Sequence, residues 1–501
     1  MSLEKPVNRY LRLATRAQSR DLDRYTIEEF GIDSITLMEI AGKKAADVIR
    51  EKTGADASGI FVCGKGNNAG DALVAARYLS ENAGHSVSLL LTAGSNNFSD
   101  DARKNYGLLK KLSENGSDIT FQTDSDAIKW HTFDYAVDGL IGTGLTSELR
   151  QQMAGVVDKL NSTGLFTFSM DIPTGLNCDT GEILGTCVEA DHTITFGTNK
   201  VGFYLDDGPS VTGHITLAEL PFPEYLREHK AVLIDQSLRD EFDDNKPSYS
   251  HKYDKGTVHI IAGSEGMTGA AIMASKSAWN AGAGAVILYA PKGLLAVYEQ
   301  ALPEIIKIPV GDSKDVHFKT DHAEIISKKI SNKPGVILIG PGLGLNDDTQ
   351  RCVLELLEAV DQPVILDADG LSKWKESSHL DTSGWLLTPH PGELQKYLDI
   401  PMSTASERLR EIEKLSQKQN VSILSKGFPT ILATSKNGTY ITSYDTRLFA
   451  RAGFGDVLAG TIAGKLAVSK KTVQSITDAL ITNVSVAQKF QEPQPGDIYD
   501  R

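Results

Sequence analysis

The 501 residues include only four cysteines, Cys63, Cys178, Cys187 and Cys352. No two have C-x-x-C spacing, so no zinc or dithiol redox motif is indicated. Thiols this sparse and scattered are expected to be free, in a reducing cytosol. The N-terminus, MSLEKPVNRYLRLATRAQSRDLDRYT, lacks the apolar core of a signal peptide. No apolar run approaches the roughly 18 residues of a membrane span. The nearest, VLAGTIAG at 457–464, follows Asp456. A cytoplasmic protein that does not engage membranes is therefore expected. Basic charge is also short, with 51 Lys and Arg against 65 Asp and Glu, a net charge of -14. That sign repels phosphate backbones, so nucleic-acid partners are not expected. One local basic pocket for a single nucleotide is still compatible with it.

Hydrophobic residues, at 41%, are enough for ordinary cores. At roughly 150 residues per domain the length implies two to four domains. Between 59 and about 217, short apolar runs, glycine-rich turns and helical periods alternate. Strands are expected at 60–63, 86–91, 134–138, 165–171 and 192–196, with helices at 70–83, 100–114 and 150–161. Such alternation implies a parallel sheet covered on both faces. Residues 221–249 carry Pro221, Pro223, Pro247 and an acidic cluster, and read as a linker or crossing segment. The pattern then restarts. Strands are expected at 257–262, 285–289, 336–340, 364–367, 385–388, 421–424, 430–434 and 439–442. Helices are expected at 268–282, 347–360, 404–418, 455–467 and 472–490. The halves show no repeat of each other, so the chain reads as a fusion.

Residues 63–72, CGKGNNAGDA, satisfy the dinucleotide pattern G-x-G-x-x-G/A through Gly64, Gly66 and Ala69. A dehydrogenase also needs an acid about 20 residues on, to hold a ribose. The second strand, SVSLLLTAGS, offers Thr92 and Ser95 and no acid. Asn67, Asn68 and Asp71 are also foreign to that role. Two further turns follow strands: VDGLIGTGL (137–145) with Asp138, and SMDIPTGLNCDTG (169–181) with Asp171. Each Asp singly is compatible with a cap or turn. Together the three turns gather carboxylates, amides and a hydroxyl at one sheet edge. These are hard oxygen ligands for a monovalent or alkaline-earth cation rather than zinc.

GNNAGDALVAARYL, VDGLIGTGL, SMDIPTGLNCDTG and TITFGTNKVGF together resemble the NAD(P)H-hydrate epimerase domain. That family interconverts the C6 epimers of hydrated NADH and NADPH. The resemblance implies K⁺ ligands at Asn68, Asp138 and Thr174. It implies substrate contacts at Asn67, Asn68, Ala69, Gly70, Asp71, Gly142, Thr143, Gly144 and Asp171. Asp171 is then the general acid/base, since a carboxylate facing the hydrated ring can exchange a proton there. Lys200 either assists or is an ordinary solvated lysine. The family loop reads GNNGGDG, so Ala69 and Ala72 replace glycines. Their methyls would crowd the loop if φ were positive there.

In the second half, ARAGFGDVLAGTIAG (450–464) sets Gly453, Gly455 and Asp456 before a helical run. Asp456 there is either a charge favourable to the helix dipole or a base that deprotonates a hydroxyl beside phosphates held by the glycine loop. Further strand ends carry IGPGLG (339–344), LDADGL (366–371), LLTPHPGEL (386–394) and LSKGFPT (424–430). With HKYDKGTVHIIAGSEGMTGAA (251–271), this set resembles the ADP/ATP-dependent NAD(P)H-hydrate dehydratase of the ribokinase-like superfamily. That family couples nucleotide hydrolysis to removal of water from C6. The resemblance assigns Asp456 as catalytic base. It places substrate contacts at Ala270, Gly344, His390 and Asp456. Nucleotide contacts fall at Lys426, Gly427, Phe428, Pro429, Thr430 and Gly455, with Mg²⁺ accompanying ADP or ATP. His390 is alternatively a hydrogen-bonded structural histidine. The family loop ATGGTGD is here ARAGFGD, so Phe454 must point away from the phosphates.

The expected architecture is α/β in two domains. Residues 1–225 form an N-terminal Rossmann-like three-layer sandwich, 226–249 a linker or crossing segment, and 250–501 a C-terminal ribokinase-like α/β domain. The resemblances imply a bifunctional repair enzyme for NADH and NADPH hydrates, using ADP or ATP, and a homo-oligomer. The alternative is a ribokinase-like small-molecule kinase fused to a nucleotide-binding module; TPHPGE and GSxGMTGAA favour the dehydratase.

Overall fold

The computed structural model describes residues 7–93, 97–242, 255–401 and 404–499. Ser95, Pro247 and the HKYD stretch at 251–254 therefore lie outside the described residues. The chain divides into two compact units, Arg9–Ala231 and Val232–Arg501, with Val7 and Asn8 grouped with the second.

In the first unit a short strand β1 (Arg12–Ala14) precedes β2 (Ser58–Cys63), β3 (Ser86–Leu91), β4 (Ile119–Gln122), β5 (Tyr135–Gly139), β6 (Phe166–Met170), β7 (His192–Phe196), β8 (Asn199–Lys200) and β9 (His214–Ala218). The main sheet runs β4-β3-β2-β5-β6-β7-β9, and every pair is parallel. β1 pairs separately with β8. Successive residues of β2 enter opposite cores, as the pleat requires. Phe61 and Cys63 join Val137, Phe168 and Ile194 beneath helices Ser34–Thr53, Asn67–Ala83 and Asp100–Glu114. Ile60 and Val62 join Ala136 and Leu140 beneath helix Gln151–Ser162. Two cores on opposite faces make three layers, as expected.

The second unit contains all of β10 (Ala231–Ile234) but its first residue, and β11 (Thr257–Ile261), β12 (Ala285–Pro291), β13 (Ile306–Val310), β14 (Val336–Ile339), β15 (Val364–Leu366), β16 (Leu386–Leu387), β17 (Ser422–Ser425), β18 (Ile431–Thr434) and β19 (Gly438–Thr442). Their order is β13-β12-β11-β14-β15-β16-β17-β18-β19-β10. All pairs are parallel except β17 with β18 and β18 with β19. Every residue of β11, β12 and β14 is buried. This is the signature of parallel strands covered on both faces. Helices Thr268–Asn280 and Phe454–Ser469 pack together against β11. Within the stretch read as linker or crossing segment, Ala231–Ile234 is a buried strand paired with β19. Asp235 then caps a short 3₁₀ helix, Gln236–Glu241.

Candidate functional sites

In the first unit the chain goes from β2 outward to β3 and β4, then returns to β5 on the other side of β2. Such a reversal opens a crevice at the carboxyl ends of the two central strands. Gly64 leaves β2 so close to the Leu140 carbonyl that a Cβ would stand 2.0 Å from its oxygen. Helix Asn67–Ala83 starts directly afterwards. Ala69 and Ala72 lie inside this helix, fully buried, and neither has a positive φ. The concern that their methyls crowd a loop does not apply, because the segment is helical. Asn67 is exposed, whereas Asn68 is buried with both amide atoms lacking a hydrogen-bond partner.

Asp138, the penultimate residue of β5, is fully buried. Its Oδ1 accepts from Thr174 Oγ1 (2.8 Å) and Leu140 N (3.1 Å). Its Oδ2 accepts from Thr174 N (2.8 Å) and Ser169 Oγ (3.0 Å). Burial raises its pKa, and the hydrogen bonds from Thr174, Leu140 and Ser169 oppose that. Asp171 follows β6 in a left-handed conformation, φ +63°, which is costly for a residue with a Cβ and typical of functional positions. Its Oδ1 accepts from Lys200 Nζ (2.5 Å), Phe196 N (3.3 Å) and Thr195 Oγ1 (3.4 Å). Lys200 is only 1% exposed, which overturns its reading as a solvated lysine. Its ammonium also donates to Thr195 Oγ1 (2.7 Å) and the Phe196 carbonyl (3.2 Å). A lysine this buried persists because each N–H has an acceptor and a carboxylate balances its charge.

A cavity of about 600 Å³ opens over these groups. Asn67, Asn68, Asp71, Gly142, Thr143, Gly144 and Asp171 line it, as does Lys200. Ala69, Gly70, Asp138 and Thr174 do not line it; all four are buried. Asp23, from helix Arg16–Tyr25, also lines the cavity and carries no sequence motif.

In the second unit the same reversal occurs at β11, whose neighbours are β12 and β14. The turns after β11 and β14 meet there, with Ser264 Oγ donating to the Gly342 carbonyl at 2.9 Å. Ala270 lies half-buried in the first turn of helix Thr268–Asn280, and Gly344 N donates to Asp369 Oδ2 at 2.9 Å. After β15, Asp367 is buried and accepts from Thr388 Oγ1 (2.6 Å) and Lys426 Nζ (2.7 Å). Ala368 between the two aspartates is left-handed, φ +46°. Gly453, φ +98°, turns the chain into helix Phe454–Ser469 and puts Asp456 in its first turn. A Cβ on Gly455 would stand 3.4 Å from Lys426 Nζ, so the lysine and the glycine loop adjoin.

A helix N-terminus ordinarily favours a carboxylate. Here burial outweighs it and lifts Asp456 to about 7; Asp367, Asp369 and Glu393 add to the rise, and Lys426 opposes it. Glu393 is also raised, by burial first. Phe454 is buried among Val457, Val486, Ala487 and Ile498, so its ring is withdrawn from the loop. Gly427 is left-handed, and buried Arg408 donates to the carbonyls of Lys426 (3.2 Å) and Pro429 (2.6 Å). The Arg447 guanidinium stacks 4.8 Å over Phe428, and Thr430 Oγ1 donates to the Gly427 carbonyl at 3.0 Å. His390 is exposed and caps helix Pro391–Leu398. Its Nδ1 accepts from Gly392 N (3.0 Å) and Glu393 N (3.3 Å), while Glu393 returns a carboxylate to His390 N (2.8 Å). It is thus a hydrogen-bonded histidine whose ring still reaches solvent.

The family model described as YjeF-related protein N-terminus matches residues 34–202, and the model for NAD(P)H-hydrate dehydratase matches 258–495. The bifunctional NAD(P)H-hydrate repair enzyme Nnr of Salinibacter ruber is 33% identical over 492 residues, covering 93% of this chain and 90% of that protein. The chain belongs to the bifunctional NAD(P)H-hydrate repair enzyme family. The Dictyoglomus turgidum member is also 33% identical, over 91% of this chain and 89% of its own. Among solved structures, the ADP/ATP-dependent NAD(P)H-hydrate dehydratase from Bacillus subtilis is 23% identical, with a TM-score of 0.44, over 53% of this chain and 95% of that one.

Within this repair-enzyme framework, Asp23, Asp367, Asp369 and Glu393 are residues that motif assignment did not single out. Asp367, Asp369 and Glu393 stood in segments marked as strand ends, LDADGL and LLTPHPGEL, so a signal for them existed. Asp23 had none, because it belongs to a helix ahead of the sheet. Among the described residues no three His, Cys, Asp or Glu converge to hold a metal ion by themselves.

Proposed function

We propose that the first unit interconverts the R and S hydrates of NADH and NADPH, and that the second dehydrates the S form with ADP or ATP as phosphoryl donor. The observation that carries this is the placement of Asp456, half-buried at a glycine-turned helix start beside Lys426. Asp456 takes the proton of the C6 hydroxyl as that oxygen attacks the terminal phosphorus, expelling the shortened nucleotide. The C6 phosphate ester then loses phosphate and a C5 proton, restoring the C5–C6 double bond. A base whose pKa lies near neutrality suits the first proton transfer. Backbone N–H groups of the glycine loop and Lys426 face charge that develops on the phosphoryl oxygens. Asp367, Asp369 and Glu393 give the site an excess of negative charge that suits Mg²⁺. Phosphate oxygens would complete its shell, since no three side chains converge on one point.

In the first unit Asp171, paired with Lys200, exchanges protons with the hydrated ring. Asn67, Asn68, Asp71 and the Gly142–Gly144 turn position it. K⁺ fits at Asn68, Asp138 and Thr174, because the buried Asn68 Oδ1 is a hard oxygen without a donor. It would supply positive charge beside the buried Asp138. The acidic net charge supports a partner set without nucleic acid. Among the described residues no helix is long and apolar enough to cross a membrane.

The test is recovery of nicotinamide absorbance from each pure epimer, with and without ADP or ATP. The S form should recover directly and the R form through epimerisation, both only with nucleotide. No recovery with either nucleotide overturns the dehydratase reading.

A further inference from the structure

Asp23 and Asp71 both open on the 600 Å³ cavity, and neither side-chain carboxyl accepts a hydrogen bond among the described residues. Lys200, a buried ammonium that also lines the cavity, is committed to Asp171, Thr195 and Phe196. All the hydrogen bonds Asp171 accepts go to Oδ1, so Oδ2 is left for whatever enters the cavity. Asp171 stands at the end of β6, whereas Asp23 stands on helix Arg16–Tyr25. Of the carboxyl groups that line the cavity, Asp171 is thus ion-paired with Lys200 and Asp23, from a separate element, is not.

Inverting C6 of a hydrated nicotinamide requires one of its bonds to break and re-form. Breaking C6–O would give an iminium ion one proton away from the dehydrated product, bypassing the nucleotide-dependent step. Breaking C6–N1 gives an aldehyde and a ring-opened amine, which can close on the other face. Opening needs a base for the C6 hydroxyl and an acid for N1.

We propose that Asp23 is that acid: it protonates N1 as Asp171 removes the hydroxyl proton and the C6–N1 bond breaks. Rotation about C5–C6 presents the other carbonyl face. N1 then re-adds and returns its proton to Asp23, while the oxygen takes back the proton held by Asp171. Both carboxyl groups end as they began, and the net change is inversion at C6 alone. This rests on the epimerase reading of the site. A pair of carboxyls driven apart by environment is how one site supplies both acid and base near neutrality. Asp23 is exposed to the open cavity, yet desolvation by the cavity walls, and then the Asp171 charge, raise it to about 6, while Lys200 opposes the rise. Asp71 is pushed well above the carboxylate range, by burial first and then by Asp171 and Asp23. Arg20 and Arg24, on Asp23's own helix, and Lys65 and Asp101 also line the cavity.

The experiment follows conversion of the pure S to the R hydrate, without nucleotide, across pH in the full chain. The acid must be protonated, so wild-type kcat/KM should fall as pH rises through about 6. Asp23→Asn should lose about a hundredfold in rate and lose this alkaline limb. Asp23→Glu should restore the limb, and the melting temperature of Asp23→Asn should match wild type. Asp23→Asn within twofold of wild type, or retaining the limb, overturns the proposal. So does Asp71→Asn abolishing the limb while Asp23→Asn keeps it. A wild-type protein that does not epimerise at all overturns the epimerase reading instead.

Discussion

Replacing Asp456 with Asn should abolish dehydration while making the second unit more stable above neutral pH. Burial, and then Asp367, lift this carboxyl from 3.8 to about 7. A carboxyl raised in the folded state contributes most below the unfolded pKa, and that contribution is lost as pH rises through the folded pKa. Above pH 7 the folded protein must therefore hold a charge that the unfolded chain carries freely. At about 1.4 kcal/mol per pH unit, the rise sets a ceiling of roughly 4 kcal/mol. Residual solvent contact at this half-buried group reduces this to about 2 kcal/mol. An amide carries no such charge, so Asp456→Asn should raise the melting temperature at pH 8 by roughly 5 °C. Near pH 4 the two proteins should melt together. Dehydration should fall by about a hundredfold to ten-thousandfold, and the wild-type rate should climb with pH until about 7. Calorimetry at both pH values and the nucleotide-dependent assay check the two halves. Equal melting at pH 8, or a variant within tenfold of wild-type activity, would refute this account of Asp456.

Three further outcomes concern the first unit. Asn68→Ala removes an amide with no hydrogen bonds, so in K⁺-free buffer its stability should be unchanged or slightly higher. Added K⁺ should raise the melting temperature of wild type but not of this variant. Lys200→Met strands Asp171 at the cavity edge and should cost about 2 kcal/mol by denaturant titration, with epimerisation lost; full activity would show that the ion pair is dispensable. Gly64→Ala would press a methyl against the Leu140 carbonyl, 2.0 Å from its oxygen. A loss of about 3 kcal/mol is expected, because both sides of the clash are backbone.

The central strands were readable because parallel strands buried on both faces need unbroken apolar runs, as in β11, β12 and β14. β4, β9 and β13 are sheet edges with partly exposed faces, and none of them was expected. Helix Ser34–Thr53 was also missed. Much of its buried seam is small residues, Ala41, Gly42, Ala45 and Ala46, which give a weak amphipathic signal.

By itself the sequence determined the two α/β units, with Asp138, Asp171 and Lys426 at strand ends and Asn68 and Asp456 at helix starts. Local turn chemistry fixes where a strand stops, and open parallel sheets place ligands at those ends. Tertiary structure alone decided the charge environment. Lys200 is buried against Asp171, Asp23 reaches the cavity from a helix ahead of the sheet, and Asp456 is lifted to about 7 by burial and carboxylates distant in sequence. Desolvation and Coulomb energy depend on distance in space, which residue order does not encode.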